Sequence, residues 1–255
     1  MSAGQYLLIG KRLGHSFSAG YFNKKFKELG LDNDYRNYET DSLVNIRKIT
    51  NQFPNLRGMN VTIPYKIEIM NYLDDIEEVA KEIGAVNVVK IDERGRWIGY
   101  NTDFYGVRGS LKGWIELNYD SKVLILGTGG AAKVVDYVLQ KNFGLKQIEF
   151  VSRNGQNERI ITYNQLNNKY IQQFDLIINT TPLGMYPDTE QFPTIPYNLL
   201  LGRQRLFDLI YNPLDTKFLQ FGAKRGCSVL NGLKMLILQA ETAWRIWNDV
   251  SESKY

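Results

Sequence analysis

The stretch NVTIPYK, Asn60 to Lys66, sets a lysine behind two short hydrogen-bonding side chains, Asn60 and Thr62. An apolar run before it reads as a strand, and Pro64 suits the first turn of a following helix. A lysine in that turn would face the positive end of the helix dipole, where a cation is disfavoured and a proton is more easily released. Lys66 is therefore a candidate acid–base group, although a lone lysine reads better as an ordinary surface residue. A second stretch, GYNTDFYG, places Asn101, Thr102 and Asp103 after another strand. Thr102 or Asp103 would equally serve as a helix cap. A third, GHSFS, offers the hydroxyls of Ser16 and Ser18 beside His15. Two hydroxyls there can hold a small carboxylate or polyol, or one can cap a helix.

A different chemistry belongs to KVLILGTGGAAKVV, Lys122 to Val135. An apolar strand leads into Gly127, Gly129 and Gly130, then into a helical pattern that begins at Ala131 and Ala132. Glycines allow a tight turn and close backbone approach, and the helix N-terminus offers free N–H groups to a pyrophosphate. The spacing is G-x-G-G-A rather than the full fingerprint, so a plain tight turn is the competing reading. The context favours a dinucleotide, because another strand, IEFVSRN, follows about twenty residues on. That strand ends in Ser152-Arg153, where an acid would bind a ribose 2′-hydroxyl and repel a 2′-phosphate. The Arg153 fork instead pairs with phosphate, which points to NADP over NAD. The bland alternative is a solvated loop arginine.

Composition removes several classes of function. The chain has 255 residues, one histidine and one cysteine. A zinc site of ordinary nitrogen and sulfur ligands is thereby disfavoured, and no metal is expected. A Ser-His-Asp triad would have to use His15, and no G-x-S-x-G elbow accompanies it. Cys227 admits no internal disulfide and suits a reducing, cytoplasmic compartment. No apolar run approaches a membrane span, and no signal peptide is visible. The net charge of +4 comes from scattered basic residues, which suits an anionic small molecule and argues against nucleic acid.

Two series of elements must position these groups. Over residues 6–100, YLLIG, YRNYE and RGMNVTI read as strands, and AVNVVKI with RWIGYN reads as a strand pair around Glu93-Arg94-Gly95. Ser18 is expected to cap a helix with Phe22, Phe26 and Leu29 on its apolar face and Gly30 as its stop. Alternating strands and helices imply an α/β layer with a largely parallel sheet. Over 122–230, KVLIL, QIEFVS, DLIINTT, RLFDLIY and SVL give a second, doubly wound series. The tail reads as a helix opened by Asn231. Its apolar face comprises Leu233, Leu236, Ile237, Ala240, Ala243, Trp244 and Trp247. That face is expected to pack back on the first domain, so that the chain crosses between domains twice.

Taken together and in this order, these stretches resemble the shikimate dehydrogenase family. The resemblance runs over nearly the whole chain, from HSFS through GAVNVV, NTTPLGM and DLIYNPLDTKFL to NGLKMLILQA. It implies a two-domain α/β fold: residues 1–103, completed by 232–255, as the substrate-binding and catalytic domain, and 104–231 as a Rossmann NADP-binding domain. It implies that Lys66 and Asp103 are the catalytic pair. Ser16 and Ser18 would hold the substrate carboxylate with Tyr211 nearby, and Thr62, Asn87, Asp103 and Gln239 would meet ring hydroxyls. Gly127, Gly129, Gly130 and Ala131 would form the pyrophosphate loop, Ser152 and Arg153 would face the 2′-phosphate, and Thr180, Met185 and Gly232 would border the nicotinamide. The implied reaction is NADP-dependent, reversible reduction of 3-dehydroshikimate to shikimate, by a monomer or homodimer. The rivals are a quinate or dual quinate/shikimate dehydrogenase and a non-catalytic dinucleotide-binding regulatory module. The chain departs from the family pattern in four places: Ala19 follows Ser18 where a proline is usual, Ser152-Arg153-Asn154 stands for Asn-Arg-Thr, the second basic residue that normally follows closely has only Arg159 as its candidate, and Lys234 precedes Met235 where glycine is usual.

Overall fold

A computed structural model describes residues 3–14, 16–154, 158–166 and 170–250. His15 therefore lies outside the described residues. The chain divides into two compact units, 1–102 with 240–255, and 103–239.

The first unit contains six strands, β1 (Gln5–Gly10), β2 (Asp34–Glu39), β3 (Leu56–Val61), β4 (Asp75–Ile76), β5 (Val88–Ile91) and β6 (Trp97–Tyr100), with helices α1 (Phe17–Glu28), α2 (Ile49–Gln52) and α3 (Glu78–Ile83). The strand order is β2-β1-β3-β5-β6-β4. β1 pairs in parallel with β2 and β3, while β5 is antiparallel to both β3 and β6. β4 is parallel to β6, so three of the five pairings are parallel, as the alternation of strands and helices suggests; the sheet turns antiparallel only around β5, where the Glu93-Arg94-Gly95 hairpin is too short for a crossover and reverses the chain. One face is filled by Leu7, Ile9, Met59, Val61, Val89 and Trp97. The other face carries Tyr6, Phe22, Phe26 and Tyr35, closed by Ala240, Ala243 and Trp247 from the end of the chain. The Trp247 indole N–H donates to the Val89 carbonyl at 3.0 Å. A Cβ on Gly58 would stand 2.2 Å from that indole nitrogen, so only glycine leaves room for the ring. Ile237 is exposed and drops out of the expected apolar face.

The second unit begins at α4 (Asp103–Leu111). It continues through β7 (Lys122–Leu126), α5 (Gly130–Phe143), β8 (Gln147–Ser152), β9 (Ile160–Thr162), β10 (Leu176–Asn179), β11 (Arg205–Asp208), α6 (Lys217–Lys224) and β12 (Ser228–Leu230), and α7 (Leu233–Trp247) carries the chain out of it. Its order is β12-β11-β10-β7-β8-β9, and every pairing is parallel. This is the doubly wound Rossmann arrangement, with its switch point between β7 and β10. The central strands are apolar throughout: Val123 to Leu126 and Leu176 to Ile178 are fully buried, as parallel strands covered on both faces require. Asn231 Oδ1 accepts from Leu233 N and so opens α7, as its sequence suggests.

Candidate functional site

The edge of the first sheet gathers the residues after β1, β3 and β6 with the one before β5. β5 runs against its neighbours, so its amino end meets the carboxyl ends of β3 and β6; β1, parallel to β3, ends beside them. Backbone bonds fix the pieces: Thr62 N donates to Ile9 O at 2.9 Å, Val61 N to Asn87 O at 2.8 Å, Asn87 N to Tyr100 O at 3.0 Å, and Val86 N to Lys66 O at 2.7 Å. Asn87, Asn101 and Thr102 are buried. Asn87 Nδ2 donates to Thr102 Oγ1 at 3.1 Å, and Thr102 N donates to Asn87 Oδ1 at 2.7 Å. Asn101 Nδ2 donates to Ala85 O at 2.8 Å. Short polar side chains are thus held rigidly around one edge, where open α/β sheets place their ligands.

Two local expectations are corrected here. Lys66 is not in the first turn of an α-helix. Residues 62–67 form a turn closed by Tyr65 N donating to Thr62 O at 2.9 Å, and only a short 3₁₀ helix, Glu68–Tyr72, follows. The carbonyl that a helix would need from Lys66 is taken by Val86 N, so the dipole argument fails. Lys66 is instead placed, half-buried, by that strand-edge bond. The cap of α1 is Ser16, not Ser18; its side chain accepts from Ala19 N at 3.4 Å. Leu29 is exposed, while Phe22 and Phe26 are buried. Ser18 lies in the first turn and its side chain bonds Tyr35, whose hydroxyl donates to Asn60 Oδ1 at 2.7 Å. Burial pushes the fully enclosed Tyr35 phenol well above its ordinary range, against the bond from Ser18.

In the second unit, Gly127 has φ 109° and a Cβ there would stand 2.8 Å from Thr180 Oγ1. Only glycine can hold this turn. The same contact places Thr180 beside the loop, across the switch point from β7. Gly129 caps α5 without a side-chain hydrogen bond, and a Cβ at Gly129 or Gly130 would meet open space. An open cradle at a helix N-terminus with no side chain on its donors fits a pyrophosphate. Ser152 ends β8, and Arg153 follows it, exposed. Arg159 pairs with Asp136 at 2.6 Å, donates to Ile148 O at 3.2 Å and lies over the Phe150 ring. Arg159 and Phe150, with Thr128, Ala132, Lys133 and Ile160, line a cavity of ≈ 180 Å³ beside the loop.

The loops after β10 and β11 form one construction. Tyr186 N donates to Asn212 O at 3.0 Å, and Leu209 N to Asn179 O at 3.1 Å. Met185 is exposed, and Tyr211 is half-buried with its phenol raised by burial. Gly232 N donates to Ile210 O, and a Cβ on Gly232 would stand 2.1 Å from Leu209 O. Beneath them lies Asp208, fully buried, to which sequence reasoning assigns no role. Burial pushes its carboxyl up to about 6, against hydrogen bonds from Thr216, Ile210 and Asn179. The available signal is a carboxylate closing an apolar strand, in DLIYNPLDT. Asp103, also buried, is the first residue of α4, and Gln239 is half-buried on α7. Among the described residues, no group of three metal-binding side chains occurs, and no helix is long and apolar enough to cross a membrane.

The family model for the shikimate dehydrogenase substrate binding domain matches residues 8–89, a span that includes Ser16, Ser18, Thr62, Lys66 and Asn87. A protein of Methanococcus maripaludis (strain C6) named shikimate dehydrogenase (NADP(+)) is 41% identical to this chain, over 97% of it and 92% of the relative. The chain belongs to the shikimate dehydrogenase family. Solved structures of the family agree in fold. The chorismate mutase/shikimate 5-dehydrogenase fusion protein from Clostridium acetobutylicum is 36% identical, with a TM-score of 0.86 over 99% of this chain and 93% of its own. The shikimate 5-dehydrogenase of Thermus thermophilus, solved with NADP(H) and shikimate, is 29% identical, with a TM-score of 0.83 over 96% of this chain and 94% of its own.

Proposed function

We propose that this chain catalyses the NADP-dependent, reversible reduction of 3-dehydroshikimate to shikimate. The observation that carries this reading is the sheet edge that holds Thr62, Lys66, Asn87 and Thr102 together in a chain related to NADP-dependent shikimate dehydrogenases along nearly its full length. The hydroxyls of Ser16 and Ser18, with Tyr211, receive the carboxylate of the substrate. Thr62, Asn87, Asp103 and Gln239 receive its ring hydroxyls. Reduction leaves a developing alkoxide that needs a proton, and the Lys66 Nζ–H donates it; in oxidation neutral Lys66 accepts the proton back. Asp103 is the acidic partner in this exchange.

For the cofactor, the N–H groups at the start of α5 with Gly127, Gly129, Gly130 and Ala131 hold the pyrophosphate. Ser152 and Arg153 meet the 2′-phosphate, and Thr180, Met185 and Gly232 border the nicotinamide. Bound NADPH supplies the hydride. The protein works in the cytoplasm as a monomer or homodimer and requires no metal. A spectrophotometric panel of shikimate and quinate, each with NADP+ and NAD+, tests the reading. Shikimate with NADP+ is expected to give the highest kcat/KM. Preference for quinate would move the chain to the quinate dehydrogenases, and no turnover with any pair would support a regulatory module.

A further inference from the structure

We propose that Asp208 is a positioning residue for the nicotinamide end of the cofactor. The inference rests on the NADP-dependent reading above. Asp208 ends β11, is fully buried, and accepts one hydrogen bond from each of three segments. Oδ1 accepts from Asn179 Nδ2 at 3.0 Å and from Ile210 N at 3.1 Å. Oδ2 accepts from Thr216 Oγ1 at 2.6 Å. Asn179 closes β10, Ile210 leads to Tyr211, and Thr216 caps α6.

The consequence follows from the inventory of donors. An ionised carboxylate only accepts, so it forces the Asn179 amide to turn its NH₂ inward. The Asn179 oxygen must then face the other way. There it accepts from Thr181 N at 3.0 Å and from Thr181 Oγ1 at 2.7 Å, and Thr181 Oγ1 accepts from Leu183 N at 3.3 Å. The path of residues 181–183, which lead to Met185, is thus set by a carboxylate that need not touch the ligand. The same carboxylate anchors Ile210, whose carbonyl holds Gly232 N at 2.9 Å. Two of the three residues assigned to the nicotinamide border, Met185 and Gly232, are thereby tied to one buried acceptor, whereas Thr180 hangs on Leu126 O, through its N–H at 3.0 Å and its hydroxyl at 2.7 Å. The pyrophosphate loop, with Thr180 packed against it, is anchored separately, since Gly127 hangs on Val151 O through its own N–H at 2.9 Å.

The test separates the two ends of the cofactor. Binding of NADP+ and of adenosine 2′,5′-bisphosphate, which lacks the nicotinamide, is measured by calorimetry on the wild type, Asp208→Ala, Asp208→Asn and Thr181→Val. Asp208→Ala frees the Asn179 amide. It is expected to weaken NADP+ binding about tenfold and to lower kcat on the order of 10²-fold, while bisphosphate binding stays within about twofold of wild type. Asp208→Asn keeps one acceptor oxygen toward Asn179 and Ile210 and is expected to recover most of the loss. Thr181→Val removes two bonds outside the Asp208 carboxylate, to Asn179 Oδ1 and from Leu183 N, and should show the same split, smaller. If Asp208→Ala does not fold, Thr181→Val carries the test alone. Parallel losses for both ligands, or no loss for either, would overturn the proposal. Because binding is read without turnover, absence of wild-type activity on shikimate would refute the substrate reading and leave the clamp still measurable.

Discussion

Asn87 and Thr102 hold each other through reciprocal bonds: the Asn87 amide donates to the Thr102 hydroxyl at 3.1 Å, and the Thr102 backbone N–H donates to the Asn87 oxygen at 2.7 Å. Both are buried, so neither can exchange its partner for water. The pair joins the start of β5 to the end of β6 and fixes which face of the Asn87 amide is presented. Thr102→Val would leave the Asn87 NH₂ without this acceptor. Stability should fall by about 1–3 kcal/mol in urea unfolding. KM for shikimate should rise with it, if Asn87 meets a ring hydroxyl. Unchanged stability would mean that the amide finds another acceptor.

Gly127→Ala tests the loop. The substitution demands φ 109° of an alanine and places its Cβ 2.8 Å from Thr180 Oγ1. The strain alone costs about 1–3 kcal/mol. Thermal unfolding should shift down, and NADP+ binding by calorimetry should weaken. A variant with wild-type Tm and affinity would show that the loop relaxes freely, against the close contact described.

Arg153→Ala tests selectivity. A charge-assisted bond to phosphate lost here should lower kcat/KM for NADPH about 10–100-fold and leave NADH nearly unchanged. Equal losses with both cofactors would remove Arg153 from the 2′-phosphate.

The buried Asp208 makes stability depend on pH in a definite direction. Its folded pKa of about 6 lies above the ordinary value of 3.8. The unfolded chain therefore releases this proton first. Below the ordinary value the group has no effect, between the two values stability falls as pH rises, and above about 6 the full cost of ~3 kcal/mol applies. Asp208→Asn removes this slope. The difference in unfolding free energy, wild type minus variant, should decrease from pH 4 to pH 7 by an amount on this order. A difference that stayed flat, or increased, would contradict a carboxyl raised by burial.

Much of the fold is legible in the sequence because its strands are short apolar runs bounded by turn residues, and because Asn231 and the apolar stripe ending in Trp247 mark α7. Two short strands escape: β4 has two residues and β9 three, too few for any periodicity to register. Strand pattern does not show where the first sheet turns antiparallel, around β5, since a hairpin and a crossover differ in connection length rather than in the strands they join. At the site, residue types are legible and local geometry less so. Pro64 suggests a helix start, yet the bond from Val86 N to Lys66 O, between distant segments, decides otherwise. Ser16 and Ser18 both suit a cap, and the turn selects Ser16. The Asp208 cluster is hidden in the sequence, because a carboxylate at a strand end acquires meaning only when Asn179 and Thr216 are seen to converge on it.

The most direct test compares wild type and Lys66→Ala in steady-state oxidation of shikimate with NADP+. The wild type is expected to turn over. The variant should keep a similar KM and lose kcat about 10²–10⁴-fold, because the missing proton transfer belongs to the transition state. A wild type that does not turn over shikimate, or a variant with near-normal kcat, would contradict the assignment of Lys66 as the acid–base group of a shikimate dehydrogenase.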